Sequence, residues 1–256
     1  MRGVRQQGQR MALENVYLVS RRLTIVPEED LDQLESDLGF PLPAGYREYL
    51  RILGDGQFCH SLRVYIPSKV TDLQEREYWT QCLLPTATSE GFWDARRLLS
   101  DDELRSSYVF AHSDEGDHFI ACPQRVGELF ELPRHEDRMH HYPQGFLEPF
   151  RFEFCRISKY NLPFFEPPNS RQAELRLNLK RGVDSKQIWD YLKELLMSPM
   201  QVAEGEIGAT DRVIAFLPTI SGCAWFENNK FYFFAAAEHA PVLHQIRQKF
   251  ANCAKS

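Results

Sequence analysis

The sequence lacks the motifs that mark most enzymes, metalloproteins and membrane proteins. It has no C-x-x-C pair, neither of the glycine-rich nucleotide-binding patterns G-x-x-x-x-G-K-[ST] and G-x-G-x-x-G, and no G-x-S-x-G hydrolase motif. No apolar run approaches the about 20 residues that a membrane-spanning helix needs. The basic first ten residues are not followed by the apolar segment of a secretory signal. These absences predict a cytoplasmic protein that is not an enzyme and uses no cofactor.

The cysteines show neither the spacing of a thiolate metal site nor the density of a disulfide framework. They are few for a chain of 256 residues and lie far apart. The six positions are Cys59, Cys82, Cys122, Cys155, Cys223 and Cys253. We therefore expect reduced thiols, as in a cytosolic protein.

Charge is unevenly distributed along the chain. Residues 11–165 contain 26 Asp and Glu against 16 Lys and Arg, a net charge of −10, whereas residues 166–256 carry +1. An acidic surface repels nucleic acid and attracts basic partners, so we expect no nucleic-acid binding. The alternative is that the acidic residues only keep the protein soluble.

Two short amphipathic helices are predicted between residues 28 and 54. Leu31, Leu34 and Leu38 share one helical face, and Gly39 offers the left-handed position that ends such a helix. A proline-stiffened elbow at residues 41–43 leads to a second helix that ends at Gly54. The pair contains no group suited to chemistry, so it indicates a fold and not a reaction.

The remaining pattern predicts an α+β protein with two domains. Alternating strands and an acidic turn follow the helix pair, and residues 69–80 are helical in pattern, before a loop around Pro85. Residues 161–170 hold three prolines and predict a stiff linker. We divide the chain into a flexible tail (1–13), a main domain (14–160), the linker (161–170) and a small β-α-β-β-β-α domain (171–256).

Three histidine-containing clusters were considered as chemical sites. His135, His140 and His141 lie near acidic residues, but their spacing matches no known metal motif. His112 and His118 flank an acidic turn that is shorter than a calcium-binding loop.

The adjacent pair Cys59 and His60 would point to opposite faces of a strand, which argues against contact between a nucleophile and its base. We predict no catalytic residue, no cofactor-binding residue and no metal ligand, although the loop at 131–141 leaves a metal site open. An enzyme with its site between the two domains remains the least favoured alternative.

The main domain resembles the SUKH superfamily, which includes the yeast Smi/Knr cell-wall regulators. The family pattern L-G-x-x-L-P-x-x-Y-x-x-x-L-x-x-x-G runs here from Leu38 to Gly54. A strand, an acidic Gly-Asp turn and a second strand follow at residues 109–121, and a third similar stretch spans 127–150. The resemblance covers about residues 14–160 and implies a helix pair packed on a mostly antiparallel sheet.

The resemblance implies binding and no catalysis. Many bacterial members of the superfamily are immunity proteins that neutralise cognate toxins, often nucleases. A nuclease holds phosphates with basic groups, so an acidic inhibitor would complement it. Our candidates for the partner-binding surface are the carboxylates of two turns, Asp114, Glu115, Asp117, Glu136 and Asp137. The alternatives are that these are merely solvated turns, or that the protein is a signalling or scaffolding module.

Overall fold

We analysed a computed structural model of the chain. The described residues cover most of both predicted domains. They are residues 13, 16–89, 93–146, 148, 163–180, 185–196, 201–207, 210–217, 220–227 and 230–252. Within them, no helix is long and apolar enough to cross a membrane.

The predicted helix pair is confirmed as α1 (Glu28–Leu38) and α2 (Tyr46–Ile52). Leu31 and Leu34 are buried, and Gly39 ends α1 in the left-handed conformation at φ 73°. Tyr46 on α2 is fully buried, and its hydroxyl donates a hydrogen bond of 2.5 Å to the carbonyl of Tyr65. The pair therefore packs on the sheet through apolar and aromatic side chains.

The helix pair packs against an eight-stranded sheet. Its strands are β1 (Tyr17–Leu18), β2 (Gln57–Phe58), β3 (Leu62–Val64), β4 (Tyr108–Ser113), β5 (His118–Ala121), β6 (Leu129–Leu132), β7 (His140–Tyr142) and β8 (Phe164–Glu166). Their order is β1-β8-β2-β3-β4-β5-β6-β7, and only the β1–β8 pair is parallel. The predicted α+β class and the mostly antiparallel sheet are confirmed.

A series of short helices connects β3 to β4. They are α3 (Pro67–Val70), α4 (Leu73–Tyr78), a π-helix (Trp79–Leu83), α5 (Leu84–Thr88), a 3₁₀ turn (Ala95–Arg97) and α6 (Asp101–Ser106). The loop predicted around Pro85 is wrong, because Pro85 lies in the first turn of α5. A proline is tolerated there, since the first turn of a helix needs no N–H donor.

A second sheet of five antiparallel strands follows. Its strands are β9 (Ala173–Asn178), β10 (Gln201–Ile207), β11 (Thr210–Leu217), β12 (Gly222–Glu227) and β13 (Lys230–Ala235), in the order β10-β11-β12-β13-β9. Helices α7 (Ser185–Leu196) and α8 (Ala240–Lys249) complete the unit. Ile188 and Ile246 lie in its own apolar core. The unit holds one strand more than the predicted β-α-β-β-β-α order.

Part of the predicted linker is a strand of the larger sheet. β8 lies between β1 and β2, and its Phe164 and Phe165 are fully buried. The Phe164 ring also meets Phe216 of β11 at 5.0 Å between centroids, so the two sheets share apolar contacts. Two adjacent aromatic side chains favour burial over the extended connector that the prolines predicted. Leu13, assigned to the tail, is buried as well.

Candidate functional site

The structure brings together the two turns that carry the predicted partner-binding carboxylates. One turn joins β4 to β5, and the other joins β6 to β7. The backbone N–H of Arg134 donates to Asp117 Oδ1 at 2.9 Å, and its guanidinium approaches the carbonyl of Glu115 at 3.4 Å. The two turns therefore form one continuous stretch of surface.

The five carboxylates differ in exposure. Asp114, Glu115, Glu136 and Asp137 are exposed, whereas Asp117 is 2% exposed. The carboxylate of Asp117 accepts a hydrogen bond of 2.7 Å from the hydroxyl of Ser113 and the bond from Arg134, so it holds the turn. We call the other four residues the acidic-turn surface.

Two residues of the acidic-turn surface have polar partners. Asp114 accepts a hydrogen bond of 2.5 Å from the amide of Gln57. Although the residue as a whole is exposed, neighbouring atoms partly desolvate its carboxyl and raise the pKa of that group. Glu136 lies 2.9 Å from Nε2 of His140, whose Nδ1 lies 3.0 Å from the buried Glu131. The acidic-turn surface is thus partly neutralised at Glu136.

The histidine loop does not assemble the metal ligands that the sequence left open. His140 lies between two carboxylates, and His141 contacts Glu128 at 2.7 Å while stacking on Phe130 at 4.8 Å. Each ring therefore has partners of its own. In the described part of the chain, three potential ligand atoms lie within 4.8 Å of one another at one position, which is away from this loop.

That place is a buried cluster where the two sheets meet, formed by His60, Glu166, Arg171 and Cys223. Sequence analysis missed it. The carboxylate of Glu166, with 1% of its side chain exposed, lies 2.6 Å from Arg171 Nη2 and 3.2 Å from His60 Nε2. The thiol of Cys223 donates to the other carboxylate oxygen at 3.1 Å. We call these four residues the junction cluster.

A strained turn positions His60 in the junction cluster. Cys59 and His60 have φ values of 50° and 57°, and Ser61 N–H donates to the carbonyl of Phe58 at 3.0 Å. Positive φ at both central positions defines a type I′ turn, which usually needs Asn and Gly. The expected strand placement of Cys59 and His60 is therefore wrong.

Tertiary contacts hold this turn in place. Cys59 N–H donates to the carbonyl of Phe164 at 2.9 Å, and the His60 ring meets the Trp225 ring edge-on at 4.9 Å. Such strain persists only where the surroundings determine the conformation, and it often marks a functional position. In this structure, the strained β2–β3 turn lies against the second sheet, where His60 contacts Trp225.

The electrostatics of the junction cluster favour a structural role over catalysis. Burial would raise the pKa of Glu166, but the charge of Arg171 and the hydrogen bonds from Arg171 and Cys223 outweigh it, so the pKa lies below its ordinary value and the carboxylate is ionised. Burial and the nearby Glu166 raise the pKa of the Cys223 thiol well above its usual range. A protonated thiol is a poor nucleophile, and an ionised carboxylate held by a guanidinium is a poor proton acceptor.

The donor set of imidazole, carboxylate and thiol is one that zinc accepts. In the junction cluster, however, Arg171 Nη2 lies 2.6 Å from both Glu166 and His60 Nδ1. The guanidinium of Arg171 therefore occupies the position where a metal cation would bind. It donates a hydrogen bond to the lone pair of His60 Nδ1, which is then not free to bind a metal. The only sequence signal for this cluster was the position of Glu166. A carboxylate between Phe165 and Pro167, in an otherwise apolar segment, needs a partner if the segment is buried.

A second histidine pair lies on the sheet. His112 and His118 are cross-strand neighbours on β4 and β5, and neither Nδ1 atom has a hydrogen-bond partner in the structure as described. Burial lowers the pKa of both rings, and that of His118 to about 4. The neighbouring charges of His112, Asp117 and Glu75 act on His118 less than burial does.

This pair predicts sensitivity to acid. From pH 7 to pH 5 we expect His118 to lower the free energy of unfolding by about 2 kcal/mol, because the unfolded ring binds a proton that the folded ring does not. The contribution of neutral His118 to the free energy of unfolding is fully present above the ordinary pKa of 6.5 and is lost as the pH falls towards 4. Urea unfolding across this range measures the slope.

Two variants identify the source of that slope. His118→Gln should flatten it, whereas His244→Gln, at an exposed position of α8, should leave it unchanged. An unaltered slope in His118→Gln would contradict the assignment.

Comparison with known proteins gives one family. The model of the SMI1/KNR4 family (SUKH-1) matches residues 25–146, just under half of the chain. The match covers the helix pair and the sheet as far as β7, and confirms the resemblance seen in the sequence. The second unit has no family assignment. No curated protein and no solved structure gives a significant match.

Proposed function

We propose that this chain, in which residues 25–146 form a domain of the SMI1/KNR4 family (SUKH-1), is a non-enzymatic immunity protein that neutralises a basic toxin domain. The family fits a protein-binding module of the immunity type. The observation that carries the proposal is the acidic-turn surface, where two turns present four exposed carboxylates within residues 11–165, a stretch with a net charge of −10.

Electrostatic complementarity explains why such a surface suits this role. A nuclease domain needs Lys and Arg to hold phosphates, so its active face is positively charged. Opposed charges accelerate the encounter of two proteins, and the acceleration falls as salt is added. A chain that presents carboxylates on fixed turns therefore meets a basic toxin faster than a neutral chain would.

Inhibition of a toxin tests this proposal directly. Each basic nuclease domain encoded by a gene adjacent to this one is co-expressed with the chain, and the purified pair is assayed for nuclease activity. We expect a stoichiometric complex, loss of activity at one equivalent, and recovered growth of the host cells. A complex that leaves the toxin active would favour the signalling or scaffolding alternative and would overturn the immunity role.

Charge reversal tests the acidic-turn surface itself. Glu115→Lys or Asp137→Lys is expected to slow association with the basic partner by about fivefold at low salt, with little effect at high salt. Stopped-flow or surface-plasmon kinetics measure the rate constants.

Glu194→Lys makes the same charge change on the exposed face of α7 and is the matched control. Equal slowing by Glu194→Lys and Asp137→Lys would show that net charge alone matters, which would refute the acidic-turn surface as the contact.

A further inference from the structure

A second feature of the SUKH-1 domain has the form of a docking site. A groove of about 450 Å³, open to solvent, lies between residues 24–27, one side of α1 and the start of α3. Much of its lining is apolar: Ile25, a residue that is 56% exposed, lines it together with Leu34 and Ile66. Large exposed apolar side chains in a concave surface are typical of sites that bind a partner.

The rim of this groove is negatively charged. Asp30, Asp37 and Asp55 line it, and none of the described lining side chains is Lys, Arg or His. Asp30 has no hydrogen-bond or ion-pair partner among the described residues, and Arg63, which lies outside the groove, approaches Asp55 at 3.7 Å. Asp37 accepts a hydrogen bond of 2.7 Å from the neutral amide of Gln33. The groove thus combines an apolar lining with two carboxylates, Asp30 and Asp37, that no described cation pairs with.

The two sides of α1 differ in how their carboxylates are paired. On the side away from the groove, the carboxylates contact an arginine of the neighbouring helix. There, the Arg47 guanidinium of α2 contacts Glu28, Asp32 and Glu35, at 2.5, 2.9 and 2.9 Å. Those three carboxylates hold the helix pair together. Asp30 and Asp37, on the groove side of α1, have no such guanidinium contact among the described residues.

The spacing of the groove carboxylates selects the kind of occupant. Asp30 and Asp37 are seven residues apart on α1, which is about 10 Å along the helix axis. These carboxylates do not converge within 4.8 Å as metal ligands would. An extended chain of the polyproline II type advances about 9 Å in three residues, and its side chains three residues apart lie on the same face. Two basic side chains three residues apart would therefore match Asp30 and Asp37.

We propose that this groove binds an extended basic segment of a protein partner, with lysines or arginines three residues apart on Asp30 and Asp37 and an apolar side chain between them on Ile25. Asp55 supplies a third negative charge at the end of the groove. The inference rests on the proposed function in that the occupant belongs to a protein partner, but it concerns a surface different from the acidic-turn surface.

A peptide titration tests the groove. The probe is a fluorescently labelled peptide with the order lysine, leucine, serine, lysine, and binding to the full chain is followed by fluorescence anisotropy at low ionic strength. The triple variant Asp30→Asn, Asp37→Asn and Asp55→Asn is expected to weaken binding about tenfold, since it removes the carboxylates that would face the lysines. Ile25→Ser should weaken it further, and a peptide with glutamates in place of lysines should not bind.

The control variant separates this inference from the proposed function. Glu115→Gln with Asp137→Asn removes charge from the acidic-turn surface and should leave peptide affinity unchanged. If this control weakens binding as much as the triple variant does, or if the triple variant binds normally, the groove proposal is refuted while toxin inhibition stands. No binding by the unmodified chain would also refute it. Circular dichroism confirms that each variant is folded.

Discussion

Replacing Arg171 with methionine is expected to lower the free energy of unfolding by about 3 kcal/mol. The reason is that Glu166 lies at the meeting of the two sheets with 1% of its side chain exposed, and Arg171 is the guanidinium that compensates it. Removing one partner of a buried ion pair leaves the other charge without compensation. Urea unfolding of the full chain, followed by tryptophan fluorescence, measures the loss.

Two further variants test that explanation. Arg176→Met removes an exposed arginine that pairs with Glu174 and should leave the free energy of unfolding nearly unchanged, because surface ion pairs contribute little. The double variant Arg171→Met with Glu166→Gln should recover much of the loss, because it removes both charges. If Arg171→Met were no more destabilising than Arg176→Met, the junction cluster would not hold the two sheets together.

The second large effect is expected at Gly54. Gly54→Ala should destabilise the protein by about 3–5 kcal/mol, because two penalties combine there. Gly54 has φ 75°, and an added Cβ would lie under 3.0 Å from the backbone carbonyl of Thr24. Thr24 belongs to the segment that forms the groove, so its backbone cannot withdraw without moving Ile25.

Gly39→Ala is a matched control for Gly54→Ala. Gly39 has nearly the same φ, 73°, but nothing lies within 4 Å of a Cβ built there. Gly39→Ala should therefore cost only the about 1–2 kcal/mol of a left-handed alanine. Thermal unfolding of both variants compares them. Equal losses would show that the close approach of Thr24 to Gly54 contributes nothing.

Some of the candidate site could be predicted from the sequence. The acidic turn between β4 and β5 was identified because Gly and Asp between alternating strands indicate a turn, and the excess of carboxylates in residues 11–165 is a matter of counting. The burial of Asp117 could not be predicted. It depends on Arg134, which is 17 residues away and meets Asp117 only once β5 and β6 have paired.

Sequence alone was enough to predict the helix pair with its ending at Gly39, the α+β class, the resemblance to the SUKH superfamily and the acidic character of residues 11–165. These properties depend on residues close together in the chain or on composition. Local backbone preferences predict the first kind, and a count of charged residues gives the second. The folded structure was needed to show that β8 enters the larger sheet, that carboxylates line the groove, and that Arg171 meets His60. The last two residues are 111 positions apart, and such contacts arise from packing of buried surfaces, which no local pattern records.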